Sequence, residues 1–366
     1  MTHGELRVSI DPMASRGKTL KRWRSAGQRA GGRAYNIREV AEAAGTSVAT
    51  ISRALQQPHV VAPATLRRVL EIIQKLGYTP SAQPKILRTA RTNVIVALVP
   101  DISNPFFSEI IRGIEQVAHE HGYSVLLGDT QNSRERETAY AQLCATRQAD
   151  GIITLLPHLP QVASAGPIPL VNACEYFRDN SVTKVLVDNR KAAQEATGYL
   201  VSLGHRDIAF LSGPMNTQIC VDRDTGYELA LRTAGLSRNP KLTIVGDFSI
   251  ESGIRAVEEL LAEKQPVTAV FCANDEMAMG AMRAFKGHGL RIPEDISVIG
   301  FDDIRYARHA DPPLTTVAQP KEALGREAMT LLLEILEDPN APPRKVVLPT
   351  ELIVRESTGR RSRSAA

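Results

Sequence analysis

The stretch Asn36–Tyr78 reads NIREVAEAAGTSVATISRALQQPHVVAPATLRRVLEIIQKLGY. Its apolar spacing predicts three short helices. Ile37, Val40, Ala41 and Ala44 share one face of a first helix over Ile37 to Ala44. Gly45 and Thr46 break it, and Ser47 is placed to cap a second helix over Val48 to Leu55, with Ile51, Ala54 and Leu55 inward. A loop holding Pro58 and Pro63 follows. A third helix over Ala64 to Leu76 repeats apolar residues at Leu66, Val69, Leu70, Ile73 and Leu76, and Gly77 stops it. Two short helices joined by a glycine-containing turn, with a third beneath them, follow the helix-turn-helix plan, in which the second helix enters the major groove of DNA.

The second helix suits that role. Its outward residues are Val48, Ala49, Thr50, Ser52 and Arg53, preceded by the cap Ser47. Arginine can donate two hydrogen bonds to a guanine edge, and small apolar side chains fit against a thymine methyl. The expected DNA-binding residues of this helix are therefore Ser47, Val48, Ala49, Thr50, Ser52 and Arg53. A bundle with a merely solvated polar face is the alternative on spacing alone.

The charge distribution supports a nucleic-acid partner. Residues 1–93 hold 16 Lys and Arg against 5 Asp and Glu, whereas the remainder holds 28 against 35. A basic head on an acidic body is the pattern of a DNA-binding module joined to a domain with another task. Residues 1–34 read as a disordered basic arm able to touch phosphates, or as a solvated tail. At 366 residues and 43% apolar composition, the chain should form two or three globular domains. No run of about 18 apolar residues predicts a membrane span, and the amino terminus has no secretory pattern. The four cysteines, Cys144, Cys174, Cys220 and Cys272, show no CxxC spacing. Buried thiols in a reduced, cytoplasmic protein without a metal or other cofactor are the expectation.

From Asn93 the pattern changes to strands alternating with amphipathic helices. The candidate strands are VIVALVP, SVLLGD, GIITLL, IPLVNA, DIAFLSG, LTIVGDF, TAVFCA and ISVIGFD. Short apolar runs ending in Asp, Asn or Gly suit a parallel, doubly wound α/β plan, and nearly 260 residues suit two lobes with a cleft. Ligands in such sheets bind at the carboxyl ends of strands. Asn104, Phe106, Phe107, Arg223, Phe248, Asn274, Asp302 and Gln319 follow strand runs, Gln319 after TTVA and Arg223 opening a helix. Aromatic faces and mixed donors and acceptors suit a sugar or a nucleoside. Asp275 and Asp303 are expected to be structural, capping helices at their amino ends. No G-x-S-x-G, P-loop or dinucleotide fingerprint is present, so an enzyme is not expected.

The runs IREVAEAAG, SVATISRAL and LGYTPSA resemble the amino-terminal domain of the LacI family of bacterial transcription regulators. The resemblance continues through DISNPFFSEIIRGIE, TAVFCANDEMAMGAM and DISVIGFDDI, which are similar to the family's effector domain and its periplasmic sugar-binding relatives. It covers about nine tenths of the chain. It implies a small all-α head (35–79), a hinge linker (80–92), a two-lobed periplasmic-binding-protein-like domain of doubly wound sheets (93–358) and a frayed basic tail (359–366). It also implies a homodimer on a roughly palindromic double-stranded operator, regulated by a small molecule. In the linker, Leu87 matches the family's minor-groove wedge, with Lys85 and Arg88 beside it for phosphates. Pro84 stands where the family usually has alanine, which points to a shorter or looser hinge helix. The chain is expected to cross between lobes near Asp188–Asn189, Gln319–Pro320 and Pro349.

The eight residues at strand ends match the pentose-contacting set of the ribose-binding relatives. The match breaks at Cys174 and Glu175, where those relatives carry Asp and Arg. PFFSEIIRGIE, GDFSIESG, DPPLTTVAQP and GREAM are most similar to the family's cytidine-responsive members. Purine-responsive members place Arg and Thr where this chain has Thr217 and Ile219. The resemblance therefore implies a nucleoside effector before a free pentose or a purine base.

Overall fold

A computed structural model describes residues 35–78, 91–160, 168–175 and 181–361. The chain divides into two units, Met1–Pro84 and Lys85–Ala366. The arm, and the linker residues Pro84, Lys85, Leu87 and Arg88, lie outside the described residues.

The first unit holds α1 (Ile37–Ala43), α2 (Val48–Gln56) and α3 (Pro63–Leu76), with a 3₁₀ turn at Pro58–Val60. Asn36 starts α1 with a capping box. Its Oδ1 accepts from the Arg38 and Glu39 amides, and Glu39 Oε2 accepts from the Asn36 amide. Pro63 occupies the first turn of α3, where its missing N–H leaves no helical bond unmade. Gly77 ends α3 at φ +62°, the left-handed cap that glycine takes without a Cβ penalty. Val40, Ala41, Ala44, Ile51, Ala54 and Val69 form the core. Leu70 departs from the expected inward set and is 47% exposed. Leu66, Val69, Ile73 and Leu76 already fill the buried stripe, Ile72 packs beside them, and Leu70 falls on the opposite side of Val69.

The second unit contains two six-stranded sheets. Lobe 1 has β1 (Val94–Val99), β2 (Ser124–Asp129), β3 (Gly151–Thr154), β4 (Leu170–Ala173), β5 (Thr183–Val187) and β11 (Lys345–Leu348), in the order β11-β5-β4-β3-β1-β2. Lobe 2 has β6 (Ile208–Ser212), β7 (Thr243–Val245), β8 (Ala269–Cys272), β9 (Ser297–Asp302), β10 (Thr315–Ala318) and β12 (Glu351–Ile353), in the order β12-β10-β9-β8-β6-β7. All pairings are parallel except β10 with β12. Central strands such as β6 and β9 are buried along their whole length, which is why they read as continuous apolar runs. The edge strand β2 alternates instead.

Helices α4 (Pro105–Glu120), α5 (Arg134–Ala145) and α10 (Lys321–Glu337) serve lobe 1. Helices α6 (Asn189–Ser202), α7 (Gln218–Thr233), α8 (Ile250–Ala262) and α9 (Asp275–Gly287) serve lobe 2. The chain passes to lobe 2 after Val187, returns after Ala318 and passes over again after Leu348. Glycines let the helix pairs meet at backbone distance. A Cβ at Gly113 of α4 would lie 2.1 Å from the Glu322 carbonyl oxygen, and one at Gly325 of α10 would lie 2.0 Å from that of Ile110.

Both ends of this unit extend past the expected boundaries. Arg91 donates to the Leu336 carbonyl at 2.7 Å, and Thr92 and Asn93 bind the Asp150 carboxylate. The tail, expected to fray from Gly359, is anchored through Arg361. Ser297 Oγ accepts from the Gly359 amide at 3.0 Å, His205 Nε2 lies 3.0 Å from the Gly359 carbonyl, and the Arg361 amide donates to Leu203.

Candidate DNA-binding helix and ligand site

In the first unit, Ser47 caps α2 by accepting from the Thr50 amide at 3.2 Å, and the two hydroxyls are 2.9 Å apart. Val48, Ala49 and Arg53 are exposed, Thr50 and Ser52 half-buried, while Ile51 and Ala54 anchor the opposite face. An exposed valine at 39% costs hydrophobic burial that a free helix face does not recover. Val48, Ala49 and Arg53 thus present a small apolar patch beside a guanidinium.

In the second unit the eight residues fall into two groups. Asn104, Phe106 and Phe107 belong to lobe 1. Asn104 caps α4, its Oδ1 accepting from the Phe106 amide at 2.9 Å. Phe106 and Phe107 meet edge to face at 5.2 Å and pack into the lobe 1 core. Arg223, Phe248, Asn274, Asp302 and Gln319 belong to lobe 2. Arg223 lies in the second turn of α7 rather than opening it. It is buried, donates through Nε to Asn189 Oδ1 at 2.9 Å and through Nη1 to the Ala273 carbonyl, and lies 3.7 Å over the Phe301 ring.

Phe248 adopts φ +69°, and its ring covers Gly213, where a Cβ would sit 2.4 Å away. Asn274 holds this bend, donating to the Phe248 carbonyl at 2.9 Å while accepting from the Met277 amide at 3.0 Å. Asn274, not Asp275, is therefore the cap of α9. Asp275 is buried instead beneath the site, accepting from Thr316 Oγ1 at 2.5 Å and from the Ile304 amide at 2.8 Å. Burial, reinforced by Asp302, holds its carboxyl well above the usual range. Asp303 caps no helix either; it accepts from Arg355 at 2.7 Å.

β9 ends in two consecutive left-handed residues, Asp302 at φ +112° and Asp303 at φ +49°. Such backbone persists only where its surroundings hold it. Gln319 Nε2 donates to Asp302 Oδ1 at 2.8 Å, and Lys321 Nζ donates to both carbonyls, at 2.6 Å to Asp302 and 2.8 Å to Asp303. Burial pushes Asp302 up to about 6, against the pull of Arg223, Gln319 and Lys321.

Nothing in the sequence singles out Lys321. A lysine opening a helix reads as a solvated charge, and only the fold brings it under the β9 exit. Glu175 stands out in the sequence only as a departure from a pattern. It follows β4 in lobe 1, yet it senses Arg223 and Asp302 of lobe 2, so the two lobes face each other there. Burial pushes Glu175 up to about 7, and Glu276 of α9 likewise, helped by Asp302, Asp101 and Glu251. These raised values mean that the folded protein keeps protons the unfolded chain has released. Stability from these groups is full below the ordinary glutamate range and is lost as pH rises toward about 7. Among the described residues no group of His, Cys, Asp and Glu could hold a metal, and no helix is long and apolar enough to cross a membrane.

A helix-turn-helix unit joined to two facing α/β lobes defines a DNA-binding regulator that answers to a small ligand. Residues 36–81 match the family described as bacterial regulatory proteins, lacI family, and residues 197–358 match the periplasmic binding protein-like domain. The chain is 41% identical over 329 residues to the HTH-type transcriptional repressor CytR of Escherichia coli (strain K12), covering 89% of this chain and 96% of CytR. It is 35% identical over 327 residues to the HTH-type transcriptional repressor PurR of Photobacterium profundum, covering 88% and 98%. The solved lac repressor dimer bound to operator and the anti-inducer ONPF superposes with a TM-score of 0.80 at 27% identity, covering 89% and 100%. The chain belongs to the LacI family of bacterial transcription regulators.

Proposed function

We propose that this regulator represses transcription as a dimer on a pseudo-palindromic operator and that its effector is a nucleoside. The observation that carries the effector reading is the β9 exit. Asp302 and Gln319 are locked together at the carboxyl ends of the lobe 2 strands, within electrostatic reach of Arg223, which donates to the Ala273 carbonyl beside Asn274, and Asn274 in turn holds Phe248. An acidic acceptor held beside an amide suits vicinal ribosyl hydroxyls, and the lobe 1 phenylalanines offer apolar faces for the rest of the ligand. The likeness of PFFSEIIRGIE, GDFSIESG, DPPLTTVAQP and GREAM to the family's cytidine-responsive members also favours a nucleoside. Ligand between the lobes favours one lobe arrangement, and the difference in its affinity for the two arrangements sets the change in DNA affinity. By resemblance, Leu87 is the minor-groove wedge, with Lys85 and Arg88 on phosphates.

Calorimetry with cytidine, ribose and hypoxanthine tests the effector. Cytidine should bind most tightly. Asp302→Asn should weaken it by about 1.5–3 kcal/mol, through loss of a charge-assisted hydrogen bond, while operator binding by the free protein stays nearly intact. Tighter binding of ribose would leave a sugar regulator, and tighter binding of hypoxanthine would leave a purine-responsive one.

For the head, Arg53→Ala should lower operator affinity by about 1–3 kcal/mol and relax preference at one base pair per half-site. Gel-shift titrations on operator and on random DNA decide this. Equal weakening on both would reduce Arg53 to a phosphate contact.

A further inference from the structure

β4 ends in a γ-turn. The Glu175 amide donates to the Ala173 carbonyl at 2.8 Å, and Cys174 between them stands at φ +58°. A side-chain-bearing residue rarely takes this conformation, and strain of this kind gathers at ligand clamps. The turn places one carboxyl group. Glu175 Oε2 is buried and has no hydrogen-bond partner among the described residues. Arg223, its nearest cationic influence, already donates to Asn189 and Ala273 and stacks on Phe301. A buried polar atom without a partner calls for an explanation, and here the missing partner is one that arrives from outside.

We propose that Glu175 reads the base of the bound nucleoside as a carboxylic acid. Its O–H donates to a ring nitrogen and its carbonyl oxygen accepts from the neighbouring exocyclic amino group. The ligand class is thereby a nucleoside whose base carries the N–C–NH₂ edge of cytosine or adenine, an inference that rests on the nucleoside reading above.

The acid form is the one with the matching pattern, a donor beside an acceptor; an ionised carboxylate offers acceptors only and repels a ring-nitrogen lone pair. Burial, with Asp302 adding and Arg223 opposing, raises Glu175 to about 7, so the acid is well populated at neutral pH. The groups facing it are Arg223 and Cys220 on α7, Asp302 at the end of β9 and Cys174 in its own turn. Asp302 stands at about 6 and must be ionised to accept from ribosyl hydroxyls. Binding is then strongest between the two values, weakening on the acid side through Asp302 and on the alkaline side through Glu175.

The test is calorimetric titration of the full chain with cytidine and with N4,N4-dimethylcytidine, from about pH 5.5 to about pH 9, bracketing both groups. Wild-type affinity for cytidine should fall about tenfold per pH unit on the alkaline side. Glu175→Gln keeps a donor beside an acceptor without a titrating proton. It should bind cytidine within about threefold of wild type at neutral pH and lose the alkaline fall. Glu175→Leu should bind cytidine roughly tenfold or more weakly than the wild type at neutral pH and should also lose the alkaline fall, and the wild type should bind dimethylcytidine roughly tenfold or more weakly than cytidine at neutral pH. An alkaline fall that persists unchanged in Glu175→Gln overturns the inference, even where cytidine binds, and leaves the nucleoside reading standing. If no nucleoside binds the wild type while operator binding is intact, the nucleoside reading fails and this inference with it. Operator binding by each variant shows that it is folded, and the glutamine variant alone decides the case if the leucine variant is not.

Discussion

Replacing Lys321 by methionine is expected to destabilise the ligand-binding unit strongly. Methionine keeps the length and the apolar stem but removes the ammonium. The Asp302 and Asp303 carbonyls then lose their donor, at about 1–3 kcal/mol for each group left unsatisfied. Both residues are held at positive φ, so the loss also frees the backbone that aims the Asp302 carboxylate. Lys321 Nζ lies 3.8 Å from Glu109 Oε2 of α4 as well, so the same side chain joins the β9 exit of lobe 2 to a lobe 1 helix. Thermal unfolding should drop by several degrees, since each kcal/mol is worth about 2–4 °C in a unit of this size. Ligand affinity should fall with it. Lys321→Arg, which keeps a buried cation, should recover part of both. A methionine variant that melts and binds like the wild type would show that the β9 exit holds its shape without the ammonium.

Widening Gly325 to alanine is the second large effect. The added Cβ would meet the Ile110 carbonyl oxygen at 2.0 Å, and backbone cannot swing aside as a side-chain tip can. Helices α4 and α10 must separate, and overpacking of this kind costs about 1–3 kcal/mol, occasionally more. Gly113→Ala on the facing helix should do the same, and the double variant should cost less than the sum because one separation accommodates both. Gly198, inside α6, is the control. Nothing lies within 4 Å of a Cβ there, so Gly198→Ala should stabilise by about 0.5–1 kcal/mol through helix propensity. Chemical denaturation of the three single variants separates a packing glycine from an incidental one. Equal effects at Gly325 and Gly198 would contradict the close approach.

These two positions also show what local sequence can and cannot reveal. The three head helices follow from apolar spacing, Ser47 and Gly77, because the forces that start and stop a helix act within a few residues. Of the eight strand runs visible in the sequence, the six central ones are apolar because a strand buried on both faces must be apolar nearly throughout, while β2 and β7 are edge strands that are less buried. Thr183–Val187, Lys345–Leu348 and Glu351–Ile353 escape that criterion, and Thr315–Ala318 shows only as the TTVA that precedes Gln319. β5 carries the charged Lys184, β11 is an edge strand with alternate residues exposed, and β12 is a three-residue edge. Their pairing is decided far away in the chain: Lys345 sits beside Lys184. The same limit applies to the ligand site. Asp302 and Gln319 stand out because they follow strands, whereas Lys321 and Glu175 acquire their meaning only from partners that the fold brings to them.

The threefold passage of the chain between the lobes also dictates a timetable for synthesis. Lobe 1 needs α10 and β11, and lobe 2 needs β12 and the anchored residues through Arg361. Neither lobe can be completed on the ribosome until nearly the whole chain has been made. The head's core, by contrast, lies entirely within residues 35–78. At bacterial elongation rates of about 5–20 residues per second, the interval between the two is on the order of tens of seconds. Each nascent chain thus carries a finished head for DNA well before it has anything with which to sense a metabolite.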